Sequence, residues 1–158
     1  MQGGQGKVRA FPVSASEGFD FDGFYRRLDA ALSKVLPKCG ECGKCCDFPN
    51  AGHVLYATEI EADYLIKKSS LPAAAASALE KGLCPYWRDG KCEAHPFRTL
   101  GCRTFHHDRK SAGEAQEIHE RFLGILRNES KGGAGLRYAP LLDIIRDRMQ
   151  LGETKPEN

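Results

Sequence analysis

Four of the chain's seven cysteines fall within eight residues, Cys39-Gly40-Glu41-Cys42-Gly43-Lys44-Cys45-Cys46. An ordinary apolar core has no use for so many thiols at one point. Two successive x-x spacings let the backbone curl so that Cys39, Cys42 and Cys45 aim their sulfurs at one centre. Gly40 and Gly43 ease that curl, since glycine accepts positive φ without steric cost and leaves backbone N–H groups able to face sulfur. Lys44 adds a positive charge nearby. The other three cysteines sit among turn residues, in Cys84-Pro85-Tyr86-Trp87-Arg88-Asp89-Gly90-Lys91-Cys92 and in Gly101-Cys102-Arg103. A long ordinary segment separates the two groups, so folding has to bring them together, and a metal would make that meeting favourable.

At 158 residues, with 41% hydrophobic and 28% charged, the chain is sized for a single domain over 1–158. Within it, 1–16 reads as a flexible tail rich in Gly, Gln and Ser, 37–105 as the cysteine-cluster metal-binding core, and 152–158 as a polar tail. No apolar run is long enough to span a bilayer, and 1–16 lacks the hydrophobic segment of a signal peptide. A cytoplasmic address is therefore expected, where thiols stay reduced. Clustered cysteines there serve as ligands or redox groups, and the odd number argues against a disulfide framework. The formal charge of +2 exerts no pull toward nucleic acid or a membrane. Converting the cysteines to thiolates would invert its sign, so cations have to sit among them.

The periodicity predicts a mainly α fold, a small helical domain organised around irregular cysteine-rich loops. Phe24, Leu28, Ala31, Leu32 and Val35 mark a helix starting near Asp20 or Asp22 and ended by Pro37, which delivers the chain to Cys39. Phe48 to Gly52 reads as a turn and His53 to Tyr56 as one extended segment. Thr58-Glu59-Ile60-Glu61 has the form of a capping box, opening a helix to about Lys68 with Ile60, Tyr64 and Leu65 inward. Pro72 and the following alanines start another helix, which Gly82 stops before Cys84. Asp89-Gly90 predicts a tight hairpin that brings Cys84 and Cys92 toward each other, within an otherwise aperiodic stretch from Leu83 to Phe105. Further helices are expected over Glu114 to Asn128 and from Pro140 onward.

Tetrahedral zinc takes four Cys or His ligands, often supplied as Cys-x-x-Cys pairs, yet the downstream cysteines are spaced by seven and nine residues rather than two. Cys39-x-x-Cys42-x-x-Cys45 matches instead the first three ligands of a ferredoxin-type iron–sulfur site, whose fourth cysteine precedes proline; the distant Cys84-Pro85 could supply it. One partition groups Cys39, Cys42, Cys45 and Cys84, leaving Cys46, Cys92 and Cys102 with a histidine for a second centre. Cys46, beside Cys45, also has a bland reading as a small buried residue.

The cysteine octet followed by Cys84-Pro85-Tyr86, Gly90-Lys91-Cys92, Arg98 and Cys102-Arg103-Thr104-Phe105 resembles the CxxCxxCC family of zinc- or iron-chelating proteins, the YkgJ-like cysteine cluster family. The resemblance runs from about Pro37 to Phe105. Where the family has an Ile-Tyr pair and an Arg-Pro pair, this chain has Ala94-His95 and Arg98-Thr99, which leaves the cysteines intact. The resemblance implies metal chelation and no particular reaction.

Among other polar residues, His95 lies between Cys92 and Cys102, where a histidine before proline is more often hydrogen-bonded than ligating. His106-His107-Asp108 reads as a solvated turn, and Arg98 and Arg103 as neutralisers of thiolate charge. The expected metal ligands are Cys39, Cys42, Cys45, Cys46, Cys84, Cys92 and Cys102. The expected cofactor is iron or an iron–sulfur cluster, alternatively zinc. Iron is favoured because seven cysteines exceed one zinc site. A role in electron transfer or metal handling follows, with two alternatives: a structural zinc interaction module, or an iron-dependent oxidoreductase with an open coordination position near His95 or His106.

Overall fold

A computed structural model describes residues 18–39, 44–106, 109–130 and 136–153, the side chains of 151–153 excepted. In chain order these form α1 (Phe21–Leu32), α2 (Phe48–Ala51), β1 (Tyr56–Thr58), α3 (Glu59–Ser69), α4 (Ala75–Glu80), β2 (Trp87–Arg88), β3 (Lys91–Cys92), α5 (Leu100–Thr104), α6 (Ala112–Glu129), β4 (Tyr138–Pro140) and α7 (Leu141–Glu153). Single 3₁₀ turns occupy Lys44–Cys46 and His95–Phe97. The fold is mainly α, built around irregular cysteine-rich loops, as the periodicity predicts. The expected tail over 1–16 lies outside the described residues. No helix among the described residues is long and apolar enough to cross a membrane.

Helix starts follow their caps. Asp20 accepts a hydrogen bond from the Gly23 N–H at 2.9 Å and opens α1. Thr58 and Glu61 form the predicted capping box of α3. Helix α1 ends at Leu32, well before Pro37, and the chain continues through tight turns closed on the Leu32 carbonyl. Phe48–Ala51, read as a turn, is a helical turn ended by Gly52 at φ 71°. Pro140 closes β4 instead of starting α7.

The extended segment expected at His53 to Tyr56 becomes strand only from Tyr56 and pairs antiparallel with β4, Ala57 opposite Ala139. A three-residue strand is too short to leave an alternation in the sequence. Asp89 and Gly90, at φ 54° and 77°, make the predicted hairpin between β2 and β3, with Trp87 opposite Cys92. The aperiodic stretch also holds α5, too short to show a helical period. Gly101 lets α5 lie against β1, since a Cβ there would sit 2.9 Å from the Tyr56 carbonyl oxygen.

Two buried clusters flank α3. One joins α1 to α6 through Phe24, Tyr25, Leu28, Phe122 and Leu126, with Ile60 of α3; Phe24 and Phe122 meet edge to face at 5.6 Å. The other gathers Leu65 and Ile66 of α3, Leu79, and Leu141, Ile144 and Ile145 of α7 around Tyr86, Cys46 and Cys84. Two sulfurs therefore belong to the apolar core itself.

Two buried carboxylates on α3 tie the clusters together. Glu61 accepts from the Thr58 N–H and hydroxyl at 3.1 and 2.9 Å, the Tyr25 hydroxyl at 3.1 Å and the Leu100 N–H at 2.6 Å. It thus joins α1, α3 and the first residue of α5, well beyond the helix-start role read from sequence. Asp63 takes a two-pronged ion pair from Arg148 of α7, at 2.7 and 3.1 Å, both side chains being under a tenth exposed. Arg148→Ala is expected to cost about 3–5 kcal/mol in urea unfolding, because Asp63 would stay buried without its counter-charge. A loss under about 1 kcal/mol would mean the pair behaves like an exposed one.

Burial raises the Glu61 carboxyl above its ordinary 4.5 and the Asp63 carboxyl above 3.8, outweighing the donors that favour ionisation. The folded chain therefore holds protons that the unfolded chain releases, and this contribution is lost as pH rises through the raised values. The urea midpoint should fall as pH climbs from 4.5 toward neutrality, and Glu61→Gln should flatten that slope. An identical slope in both proteins would contradict the assignment to Glu61.

Candidate metal centre

The described cysteines reach the centre on several differently built segments. Cys39 follows the turns after α1 and Pro37. Cys45 and Cys46 lie on the Lys44–Cys46 3₁₀ turn. The His53 Nε2–H donates to the Cys45 carbonyl at 3.1 Å, its imidazole stacked on Phe105 at 4.1 Å. The Cys84 N–H donates to the Cys46 carbonyl at 3.3 Å, stitching the two cysteine groups by backbone. Cys92 is brought back by the Asp89-Gly90 hairpin. Cys102 sits in the first turn of α5, where Thr99 both caps the Cys102 N–H at 3.3 Å and donates its hydroxyl to the sulfur at 3.2 Å.

These six cysteines line one cavity of about 30 Å³, with Phe48, Leu65, Ala94 and Leu141 as apolar wall and Tyr86, His95 and Arg98 as polar wall. No disulfide joins any two of them. The volume suits an ion and lies far below the roughly 300–1,000 Å³ of small-molecule pockets.

Cys46 lines the cavity together with Cys45, Cys84 and Cys92. Its pKa is pushed up, first by Cys45 and then by Cys84, Cys92 and burial, so it holds its proton. The complementary effect falls on two of these neighbours. The Cys45 thiol is lowered to about 6, by Cys46 first and then by Arg98 against the cost of burial. Cys92 is also lowered, chiefly by Cys46. Cys102, partly exposed as a residue, has its thiol raised to about 12, first by burial. Unaided, the cluster thus favours ionisation at Cys45 and Cys92 and opposes it at Cys46 and Cys102.

Of the seven expected ligands the structure brings six to one cavity, while Cys42 lies outside the described residues. The two sets that the sequence partition would separate share this cavity, and Cys46, with its bland reading as a small buried residue, lines it with the other described cysteines. Arg98 lines the cavity as expected. Arg103 does not: its guanidinium pairs with Asp29 at 2.7 Å, lies 4.1 Å over the Tyr25 ring and donates to the carbonyls of Arg98 and Pro96. His106 is absent from the cavity wall, and His107 and Asp108 lie outside the described residues.

Two residues of the site escaped sequence reasoning. His53 braces the Cys45 turn from a segment with no metal-site pattern. Tyr86 presents a buried hydroxyl with no hydrogen-bond partner in the cavity wall. The Cys84-Pro85-Tyr86 adjacency was the available signal for Tyr86.

The donor set fits a soft metal: sulfur donors, an apolar wall, a guanidinium and an orphaned buried hydroxyl. Among the described residues, no three His, Cys, Asp or Glu side chains already stand as a ready-made metal site. The thiols share one cavity lining, and Cys42 lies outside the described residues.

No curated protein and no solved structure matches the chain. A family model does match, described as CxxCxxCC, Putative zinc- or iron-chelating domain, over residues 38–121. That span takes in more than half of the chain and every one of its cysteines. With its cysteine loops converging on one ion-sized cavity, the chain belongs to the CxxCxxCC zinc- or iron-chelating domain family.

Proposed function

We propose that this chain chelates iron through Cys39, Cys42, Cys45, Cys46, Cys84, Cys92 and Cys102, as a cluster or an ion serving electron transfer or metal handling in the cytoplasm. The observation that carries the reading is the convergence of six cysteines, from separate segments of an otherwise ordinary helical chain, on a cavity of about 30 Å³. Iron is preferred because the thiols outnumber the four ligands of one zinc, and because Cys39, Cys42 and Cys45 have ferredoxin-type spacing.

Bound iron would supply one-electron chemistry there. The chain's own residues do the rest. Cys45 and Cys92 are the thiols most ready to ionise, and Arg98 offsets part of their charge. Phe48, Leu65 and Leu141 help wall the centre from water. A cavity of this size favours chelation over an oxidoreductase at this site. The two core clusters share α3, which supports reading 1–158 as one domain.

The ion-sized cavity also suits a closed, four-coordinate zinc, and this makes the structural zinc module the second reading.

Protein purified without oxygen is expected to carry iron; acid-labile sulfide with a brown spectrum would mark a cluster, and iron without sulfide a chelated ion. Stoichiometric zinc without colour would establish the second reading, and protein that takes up neither metal would defeat both. Cys46→Ser is expected to lose metal as fully as Cys84→Ser, since both residues line the same cavity. Elemental analysis showing full metal in the Cys46→Ser protein would remove that residue from the set.

A further inference from the structure

We propose that His95 supplies a nitrogen donor to this centre beside Cys39, which makes it a mixed sulfur and nitrogen site; the inference rests on the chelation reading above. The first observation is a distance. The His95 Nε2 lies 3.5 Å from the Cys39 sulfur, and both residues line the cavity. Two donors on one tetrahedral zinc, at about 2.3 Å for sulfur and 2.0–2.1 Å for nitrogen, stand about 3.5 Å apart. The imidazole and the thiol are thus already separated as two ligands of one ion are.

The second observation is how the histidine is held. A solvated loop residue needs no internal support, whereas the His95–Phe97 turn is fastened at each end. Ala94 before it is fully buried, and the Arg98 Nε–H donates to the His95 carbonyl at 3.0 Å. Buried Arg103 donates to the Pro96 carbonyl at 2.8 Å and the Arg98 carbonyl at 2.7 Å, itself anchored by Asp29. A donor on such a turn is preorganised, as a ligand site requires.

The third argument is charge. Each further thiolate adds a negative charge to an apolar core that already contains Cys46 and Cys84. A neutral imidazole donor adds none. His95 therefore completes a coordination shell at lower electrostatic cost than another cysteine, and it lies on the same rim as Cys39, whose partial exposure contrasts with the buried sulfurs of Cys46 and Cys84.

The test is X-ray absorption at the zinc edge, on full-length reduced protein stripped with a chelator and reloaded with zinc alone. Wild type is expected to show a sulfur shell together with the outer-shell scattering of one imidazole. His95→Ala should lose the imidazole signal and bind zinc at least about tenfold more weakly, as even changes beyond the ligands do. His53→Ala, which removes the brace on the Cys45 carbonyl and the ring contact with Phe105 but leaves His95 in place, should keep the signal. His95→Cys restores a donor and should hold zinc in an all-sulfur shell, which preserves the test where the alanine variant does not fold. An all-sulfur shell in wild type overturns the His95 assignment while leaving chelation standing, and so does imidazole scattering that persists in His95→Cys. Wild type that takes up no zinc and no iron overturns both readings together.

Discussion

A thiolate in an apolar core has no solvent to spread its charge, and this constraint governs the whole cysteine centre. Cys46 and Cys84 pack in the same cluster as Leu65, Ile144 and Ile145. Crowding of the thiols redistributes the problem without removing it: Cys46 keeps its proton and favours ionisation at Cys45 and Cys92, while burial holds the Cys102 proton in place. The Arg98 guanidinium carries one positive charge, too little for several thiolates. A metal ion would supply the remainder, and ligation and folding would then be one equilibrium.

Because the cysteine segments are mostly irregular, their positions depend on contacts outside the site. Glu61 caps its own helix, receives the Tyr25 hydroxyl and holds the first N–H of α5, two residues before Cys102. Arg103 reaches from α5 to fasten the turn that carries His95. Arg148 clamps α7, which provides Leu141 to the cavity wall, onto α3, which provides Leu65. Three buried charged side chains thus convert loop cysteines into a site of defined shape. Buried polar groups of this kind are tolerated because nearly all their bonding capacity is met.

Much of this was legible in the sequence, for physical reasons that differ from element to element. The capping box at Thr58, the hairpin at Asp89-Gly90 and the apolar faces of α1, α6 and α7 are local signals and appear where expected. The convergence of the two cysteine groups was legible only as a requirement of ligation, since spacing cannot say which sulfurs meet. Helix α5 and the β1–β4 pairing left no signal, being five and three residues long. Arg103 was read as a partner for thiolates because sequence shows its neighbours, Cys102 among them, and hides Asp29 and Tyr25 of α1. Cys46 was open to a bland reading for the same kind of reason: adjacency to Cys45 suggests divergence, and only the fold shows the 3₁₀ turn that keeps both on the cavity.

The central claim is that a metal draws these cysteines into one centre, and the most direct measurement is a thiol footprint. Reduced protein would be alkylated under native conditions, before and after chelation, and each cysteine read by mass spectrometry. The account predicts that Cys45, Cys46, Cys84, Cys92 and Cys102 are protected together in the metal-loaded protein and lose protection together when the metal is removed. Protection that is unchanged by chelation, or that is lost at some of these cysteines and kept at others, would contradict a shared metal centre.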